Sequence, residues 1–262
     1  MVHHQRRLGI VSEVPDIERA SGSPRAPFVG FLDSGIGGLT VWREAVRLLP
    51  SLSTHYLADN LHCPYGSRPA AELRRIVVDA VDGLLGTGCT AIVLACNTAT
   101  AAAVATVRRL HPAIPVVGME PAVKPAALRS RTGVVGVLAT EGTFQGRLYR
   151  ETCARFAKKT TVLMCVADDF VALVERGETS GARAEAAVRR RIEPLLAAGA
   201  DHLVLGCTHF PHLRPLIEKV AAGKAEVIDP SDAVVRQARR LLADRQLLAP
   251  EDAVPTHNFI RT

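Results

Sequence analysis

From residue 28 onward, short apolar runs alternate with longer segments of helical period, and most of the runs end abruptly on a polar or thiol side chain. The pattern predicts strands over residues 28–32, 54–58, 91–95, 115–118, 134–138, 161–165, 203–205 and 226–228. Between them it predicts helices over 39–49, 70–85, 98–110, 144–156, 170–176, 182–198, 213–220 and 231–242. Strand-then-helix alternation of this kind indicates an α/β protein with largely parallel sheets flanked by helices. Reactive groups in such folds collect where strands end and helices begin, because loops there vary freely and helix N-termini offer N–H donors. Asp33, Asp59, Cys96, Thr140 and Cys207 each follow an apolar run directly.

Two segments fall outside the alternation. Residues 1–27 carry Arg6, Arg7, Arg19 and Arg25 against Glu13, Asp16 and Glu18, with little apolar surface, and are expected to be a disordered extension. Gly83 to Val107 holds no charged residue and is long enough to span a bilayer. It is interrupted by Gly86, Gly88 and Asn97 and changes character at Cys96-Asn97, so it reads as helix end, buried strand, loop and helix start. No membrane partner is expected.

Composition narrows the class. With 48% hydrophobic and 22% charged residues, the 262-residue chain can bury a full core. The net charge of +6 would suit an anionic partner, yet only 4% of residues are aromatic and the arginines lie scattered on helical segments, as at Arg189-Arg190-Arg191. That is a solvated basic face rather than a nucleic-acid groove, and no nucleic-acid partner is expected. The 6 cysteines include no Cys-x-x-Cys pair, which removes the usual zinc and thioredoxin readings, and no secretory leader pattern opens the chain. A reduced, cytoplasmic setting is expected.

The most informative feature is a matched pair, Ala95-Cys96-Asn97-Thr98 and Gly206-Cys207-Thr208-His209. Each sets a thiol at the end of a buried strand, with an amide or hydroxyl beside it and a helix predicted just beyond. A helix N-terminus lowers a thiol pKa from ~8.5 to ~3.5–7.5, which would make each sulfur a usable base. A single buried cysteine is more often a small hydrophobe, but two matched ones argue for chemistry. His209, two residues after a candidate thiol, reads as a partner that tunes it or relays a proton. In Asp33-Ser34-Gly35-Ile36-Gly37-Gly38 the glycines are expected to let a ligand approach the backbone, whose N–H groups suit a carboxylate or phosphate. The spacing is not that of a nucleotide loop. Pro64-Tyr65-Gly66, taken alone, is a turn.

In combination these motifs resemble the glutamate racemase family. The resemblance rests on Phe31-Leu32-Asp33-Ser34-Gly35-Ile36-Gly37-Gly38-Leu39, Asp59-Asn60 with Pro64-Tyr65-Gly66, Ala95-Cys96-Asn97-Thr98-Ala99 and Leu205-Gly206-Cys207-Thr208-His209-Phe210-Pro211, in that order. Thr140, Thr143, Tyr149 and Ile228-Asp229-Pro230 add weaker matches, so that the likeness covers residues 28–242. It implies a cofactor-independent isomerase that interconverts L- and D-glutamate for peptidoglycan synthesis, with no metal and no cofactor. Carried over by residue, it makes Cys96 and Cys207 the two acid/base thiols, with Asp33 and His209 assisting and Glu175 supporting the second. Asp33, Ser34, Tyr65, Gly66, Asn97, Thr98, Thr140, Thr143, Thr208 and His209 become the substrate-binding set. The chain departs from the family pattern at Ala167-Asp168-Asp169, where two carboxylates precede Glu175, at Gly146 and at His212.

The chemistry fits the residues independently. An amino-acid α-carbanion without a cofactor sink needs close bases and well-placed donors, and inversion needs a base on each face. Two thiol motifs so far apart in sequence meet only if two halves face each other. The expected architecture is therefore two similar domains, each a mainly parallel sheet flanked by helices, with the active site in the cleft. The resemblance adds their bounds: residues 28–118 with 233–262, and 119–232 between. A homodimer is the expected assembly. An aspartate or other amino-acid racemase, and a binding protein that keeps the pocket without turnover, are the competing readings.

Overall fold

The computed structural model describes residues 27–262, so the expectation of disorder for residues 1–27 lies, Pro27 apart, outside the described residues. The first half runs β1 (Phe28–Asp33), α1 (Leu39–Leu48), β2 (Ser53–Ala58), α2 (Ala70–Gly86), β3 (Cys89–Leu94), α3 (Asn97–Leu110) and β4 (Val116–Gly118). The second runs α4 (Val123–Arg129), β5 (Val134–Ala139), α5 (Glu141–Phe144), α6 (Arg147–Phe156), β6 (Thr161–Val166), α7 (Asp168–Glu175), α8 (Gly181–Ala197), β7 (His202–Gly206), α9 (Arg214–Ala221) and β8 (Glu226–Ile228). The chain finishes with α10 (Ser231–Asp244) and β9 (His257–Arg261).

All strand pairs are parallel. One sheet has the order β4-β3-β1-β2-β9 and the other β6-β5-β7-β8. Read from the opposite edge, the second becomes β8-β7-β5-β6, so β1 to β4 and β5 to β8 are wound identically and β9 is an addition to the first sheet. The central strands β1, β3, β5 and β7 are almost wholly buried, because helices cover both faces of each sheet.

Each sheet therefore has two cores. In the first half, Leu73, Val77, Val81 and Leu84 of α2 meet Val104 and Val107 of α3 over Ile92 and Leu94. On the other face, Val234, Val235, Ala238 and Leu242 of α10 pack with Val41 and Ala45 of α1, which brings the chain's last helix back onto the first sheet. In the second half, α7, α8 and α9 cover one face through Phe170, Val188 and Ile217, while Val123, Ala126 and Tyr149 cover the other.

Several elements differ from the sequence expectation. The helix expected over 144–156 is broken at Gln145-Gly146 into α5 and α6. A Cβ on Gly146 would meet the Ala101 Cβ at 2.7 Å, so the chain there lies too close to α3 for a side chain. The helix expected over 213–220 begins only at Arg214, after a 3₁₀ turn at Phe210–Leu213. Helix α4 and strand β9 were not expected at all. Strand β9 lies at an edge with Asn258, Phe259 and Arg261 exposed, and therefore lacks the alternation that betrays a half-buried strand.

Candidate active site

The C-terminal ends of the two sheets face each other, and the strand-end motifs meet there. Cys96 caps α3, its sulfur accepting from the Ala99 N–H at 3.4 Å, and is 5% exposed. Cys207 follows β7 and is equally buried. Asp33, fully buried at the end of β1, joins the halves: its Oδ2 accepts from Gly35 N at 3.0 Å and its Oδ1 from the Thr208 hydroxyl at 3.1 Å.

The two thiols have different surroundings. Burial, together with the neighbouring Asp33 carboxylate, pushes the Cys96 thiol well above its usual range, outweighing the Ala99 N–H that opposes them. The expected lowering by a helix N-terminus is thus reversed at Cys96. At Cys207 the expected helix start is absent, since a turn leads into the 3₁₀ segment and α9 opens seven residues on. Instead Cys207 has an imidazole: its Sγ lies 3.7 Å from His209 Nδ1, and His209 Nε2 lies 2.6 Å from Glu175 Oε1. Burial alone would lower the His209 pKa, but the hydrogen bonds to Cys207 and Glu175 raise it to about 10. Glu175, half-buried, is conversely held low despite its burial by the bonds from His209 and from the Ile36 N–H at 2.9 Å. Burial raises Asp33, with His209 opposing.

The glycines after Asp33 leave room for side chains of the other half. A Cβ on Gly35 would collide with the Glu175 carboxylate, 2.7 Å from its Cδ, and one on Gly37 would sit within the His209 ring, 2.6 Å from Cε1. These glycines admit the protein's own side chains from the opposite half. The Tyr56 hydroxyl fixes the loop by donating to Gly35 O at 2.9 Å.

The other sequence-derived residues gather round the same cleft. Thr98, Thr140 and Thr143 form a buried triangle of hydroxyls, with Thr98 to Thr140 at 2.8 Å and Thr140 to Thr143 at 2.9 Å, tying α3 to the start of α5. Gly66 lies against Thr140 and Asp168. Ser34 is buried, and Tyr65 is buried with its hydroxyl donating to Asp59 at 2.7 Å. The Asn97 side chain is 2% exposed, yet neither Nδ2 nor Oδ1 has a protein partner. Buried amides are almost always hydrogen-bonded, so this pair of atoms is arranged to receive something polar.

The departure at Asp168-Asp169 separates into two cases. Asp169 turns outward to Arg190 and Arg191, at 2.8 and 3.2 Å. Only Asp168 borders the cleft, and burial raises its carboxyl while the Glu141 N–H opposes the shift. Sequence reasoning missed Cys63, which Ser34 contacts and whose thiol burial, with Glu175 and Asp33 nearby, pushes up to about 12. It also gave no role to Asp59, the first residue of the Asp59-Asn60 motif. Among the described residues no cluster of His, Cys, Asp and Glu could hold a metal ion, and no helix is long and apolar enough to cross a membrane. All 6 cysteines are free.

Comparison with known proteins points the same way as the geometry. Residues 40–238 match the Asp/Glu/hydantoin racemase family profile. The glutamate racemase of Ectopseudomonas mendocina is 46% identical over 228 residues, 87% of each chain. Among solved structures, a glutamate racemase isoform of Bacillus anthracis superposes with a TM-score of 0.82 at 32% identity, covering 91% of this chain and 90% of that one. The Escherichia coli glutamate racemase, solved with L-glutamate and the activator UDP-MurNAc-Ala, gives a TM-score of 0.78 at 36% identity, covering 88% and 85%.

Proposed function

The chain belongs to the Asp/Glu/hydantoin racemase family and is an amino-acid racemase, and we propose that it interconverts L- and D-glutamate by a two-base, two-cysteine proton transfer. The observation that carries this reading is the pair of buried thiols at equivalent strand ends of two identically wound halves, one beside a carboxylate and the other beside a buried imidazole.

In the proposed mechanism, a thiolate at Cys207 takes the α-proton of L-glutamate and the Cys96 thiol delivers a proton to the opposite face. The S–H bond made at Cys207 balances the one broken at Cys96, so the enzyme is left primed for the D enantiomer. The His209 imidazolium supplies the opposite charge for a Cys207 thiolate, and Glu175 holds that cation in place. Burial and the neighbouring Asp33 keep Cys96 protonated, and Asp33 assists it when it acts as base. Asn97, Thr98 and Thr208 bind the substrate's amino and carboxylate groups, with Ser34, Tyr65, Gly66, Thr140 and Thr143 completing the pocket; the unpartnered Asn97 amide supports this assignment. No step calls on a metal or cofactor. The domain division proposed with this reading is residues 28–118 with 233–262, and 119–232.

The product would supply D-glutamate for peptidoglycan in the cytoplasm, where thiols stay reduced. Glutamate is preferred to the shorter aspartate on the Asp33-Ser34-Gly35 form of the first motif. The test is the circular dichroism of L-glutamate incubated with purified protein without added cofactor. Decay of the signal to zero is expected, and an unchanged signal alongside racemisation of aspartate would refute the substrate assignment.

A further inference from the structure

Strand β9 sits at the edge of the first sheet, paired with β2 in the register Thr54↔His257 to Ala58↔Arg261. The residue after it, Thr262, continues the ladder by donating its N–H to Ala58 O at 3.1 Å. Its hydroxyl then makes two further bonds, donating to Asp59 Oδ1 at 2.7 Å and accepting from the Leu61 N–H at 3.0 Å.

Asp59 is the hub of the loop that carries Tyr65 and Gly66. It is 2% exposed, and no Lys or Arg pairs with it among the described residues. Three side chains serve its carboxylate: the Tyr65 hydroxyl at 2.7 Å on Oδ2, His62 Nδ1 at 2.8 and 2.9 Å on the two oxygens, and Thr262 on Oδ1. Its own N–H donates to Asp33 O at 2.9 Å, which joins the hub to the end of β1. A buried carboxylate without such donors is costly, so the loop keeps this shape only while they stay in place. Two of the three come from the loop itself. Among the described residues, Thr262 alone arrives from outside it.

We propose that Thr262, borne on β9, is a positioning residue for substrate binding: through Asp59 and Leu61 it fixes the segment that presents Tyr65 and Gly66 to the substrate. The inference rests on the proposed function in so far as Tyr65 and Gly66 bind glutamate, while the clamp itself rests on geometry alone. Thr262 is exposed on an edge, so its substitution leaves the cores untouched.

The experiment compares Thr262→Val, which keeps the shape and loses the hydroxyl, with Thr262→Ser, which keeps the hydroxyl. Steady-state racemisation and hydrogen exchange of the residue 61–66 amides are measured on both. Loss of one positioning hydrogen bond should raise KM in Thr262→Val about three- to tenfold and speed amide exchange by a similar factor, with kcat within about twofold of the parent. Thr262→Ser should restore both. Unchanged exchange and KM in Thr262→Val, equal impairment in Thr262→Ser, or a fall in kcat at constant KM would each overturn the proposal. If the parent protein does not racemise glutamate, the substrate assignment fails, while the exchange measurement still decides whether Thr262 holds the loop.

Discussion

Replacing Glu175 by Gln tests the electrostatics of the site with almost no change of shape. Glu175 Oε1 lies 2.6 Å from His209 Nε2 and accepts from the Ile36 N–H, so the amide can keep the backbone bond but brings no charge to the imidazole. His209 is 2% exposed, and burial alone would leave it neutral; its raised pKa of about 10 depends on Glu175 and Cys207. A hydrogen bond to a charged group contributes about 1.5–3 kcal/mol, which corresponds to a loss of roughly 10- to 150-fold in kcat/KM. Mirror-image substrates have equal free energies in water, so kcat/KM must fall equally in both directions and cannot identify the affected thiol. Isotope effects can. A higher barrier at Cys207 makes proton removal from L-glutamate more rate-limiting, so the effect of α-deuteration should grow for the L substrate and shrink for the D substrate. The alkaline limb of the pH profile should also move from about pH 10 towards neutrality, because a carboxylate that raises His209 has been removed. Activity within twofold of the parent, or an isotope effect that grows on the D side, would refute this account.

Cys96→Ser and Cys207→Ser should each nearly abolish racemisation in both directions, as followed by circular dichroism, because inversion needs both partners; Cys89, Cys153 and Cys165 should tolerate Ser with far smaller losses. Gly37→Ala forces a methyl into the His209 ring and should cost most of the turnover, and a variant that retains activity with His209 unmoved in a crystal structure would contradict the close-approach argument. Asp201 is a stability test away from the site: Ser130 Oγ, the Arg131 and Thr132 N–H groups and His202 bond its carboxylate at 2.6 to 3.0 Å. Burial opposes these bonds but is outweighed, so the carboxyl is held low and its stabilisation is complete above the ordinary value of 3.8 and lost as pH falls through the folded value. Asp201→Asn should cost about 1.5–3 kcal/mol at neutral pH by urea unfolding, with the gap to the parent closing in acid.

How much of this was legible in the sequence depended on the range of the interaction. The central strands announced themselves as continuous apolar runs because both faces are covered, and the thiols stood out because they end such runs. The α5–α6 break did not, because its cause is the approach of Ala101 from another helix. The glycines of the first motif were visible, but the side chains that fill their empty Cβ positions come from Glu175 and His209, well over a hundred residues away. Helix-terminus reasoning mispredicted the Cys96 thiol because burial and Asp33, both tertiary, outweigh the local N–H groups of Thr98 and Ala99. Thr262 carried no local signal at all, since its importance comes from the β2–β9 pairing.

The identical winding of the halves explains why the two thiols meet, and its breaking explains how they differ. Glycine stands third in both β1 and β5, at Gly30 and Gly136, where a Cβ would press on the side-chain ends of Ile92 and of Leu195 and Leu203 at 2.9 Å, and Cys96 and Cys207 follow the equivalent strands β3 and β7. In the proposed mechanism, two such halves facing each other put one sulfur on each face of the substrate's α-carbon, the arrangement that inversion requires. Identical surroundings would leave the one proton of a half-protonated pair on either sulfur with equal probability. The sequence breaks the symmetry at two places. Beside Cys96 stands Asp33, whereas β5 ends on Ala139. Two residues past Cys207 stands His209, where Thr98 stands past Cys96. Burial and the Asp33 carboxylate keep the Cys96 thiol protonated, and in the proposed mechanism the base that opens the L direction is Cys207, beside the His209 imidazole. The D substrate needs the reverse distribution, reached by moving one proton between the sulfurs. Asp33→Asn removes the charge that assists Cys96 as base, so it should lower kcat/KM equally in both directions while the effect of α-deuteration grows for the D substrate and shrinks for the L substrate, the opposite of Glu175→Gln. An isotope effect that grows on the L side would show that the asymmetry lies elsewhere.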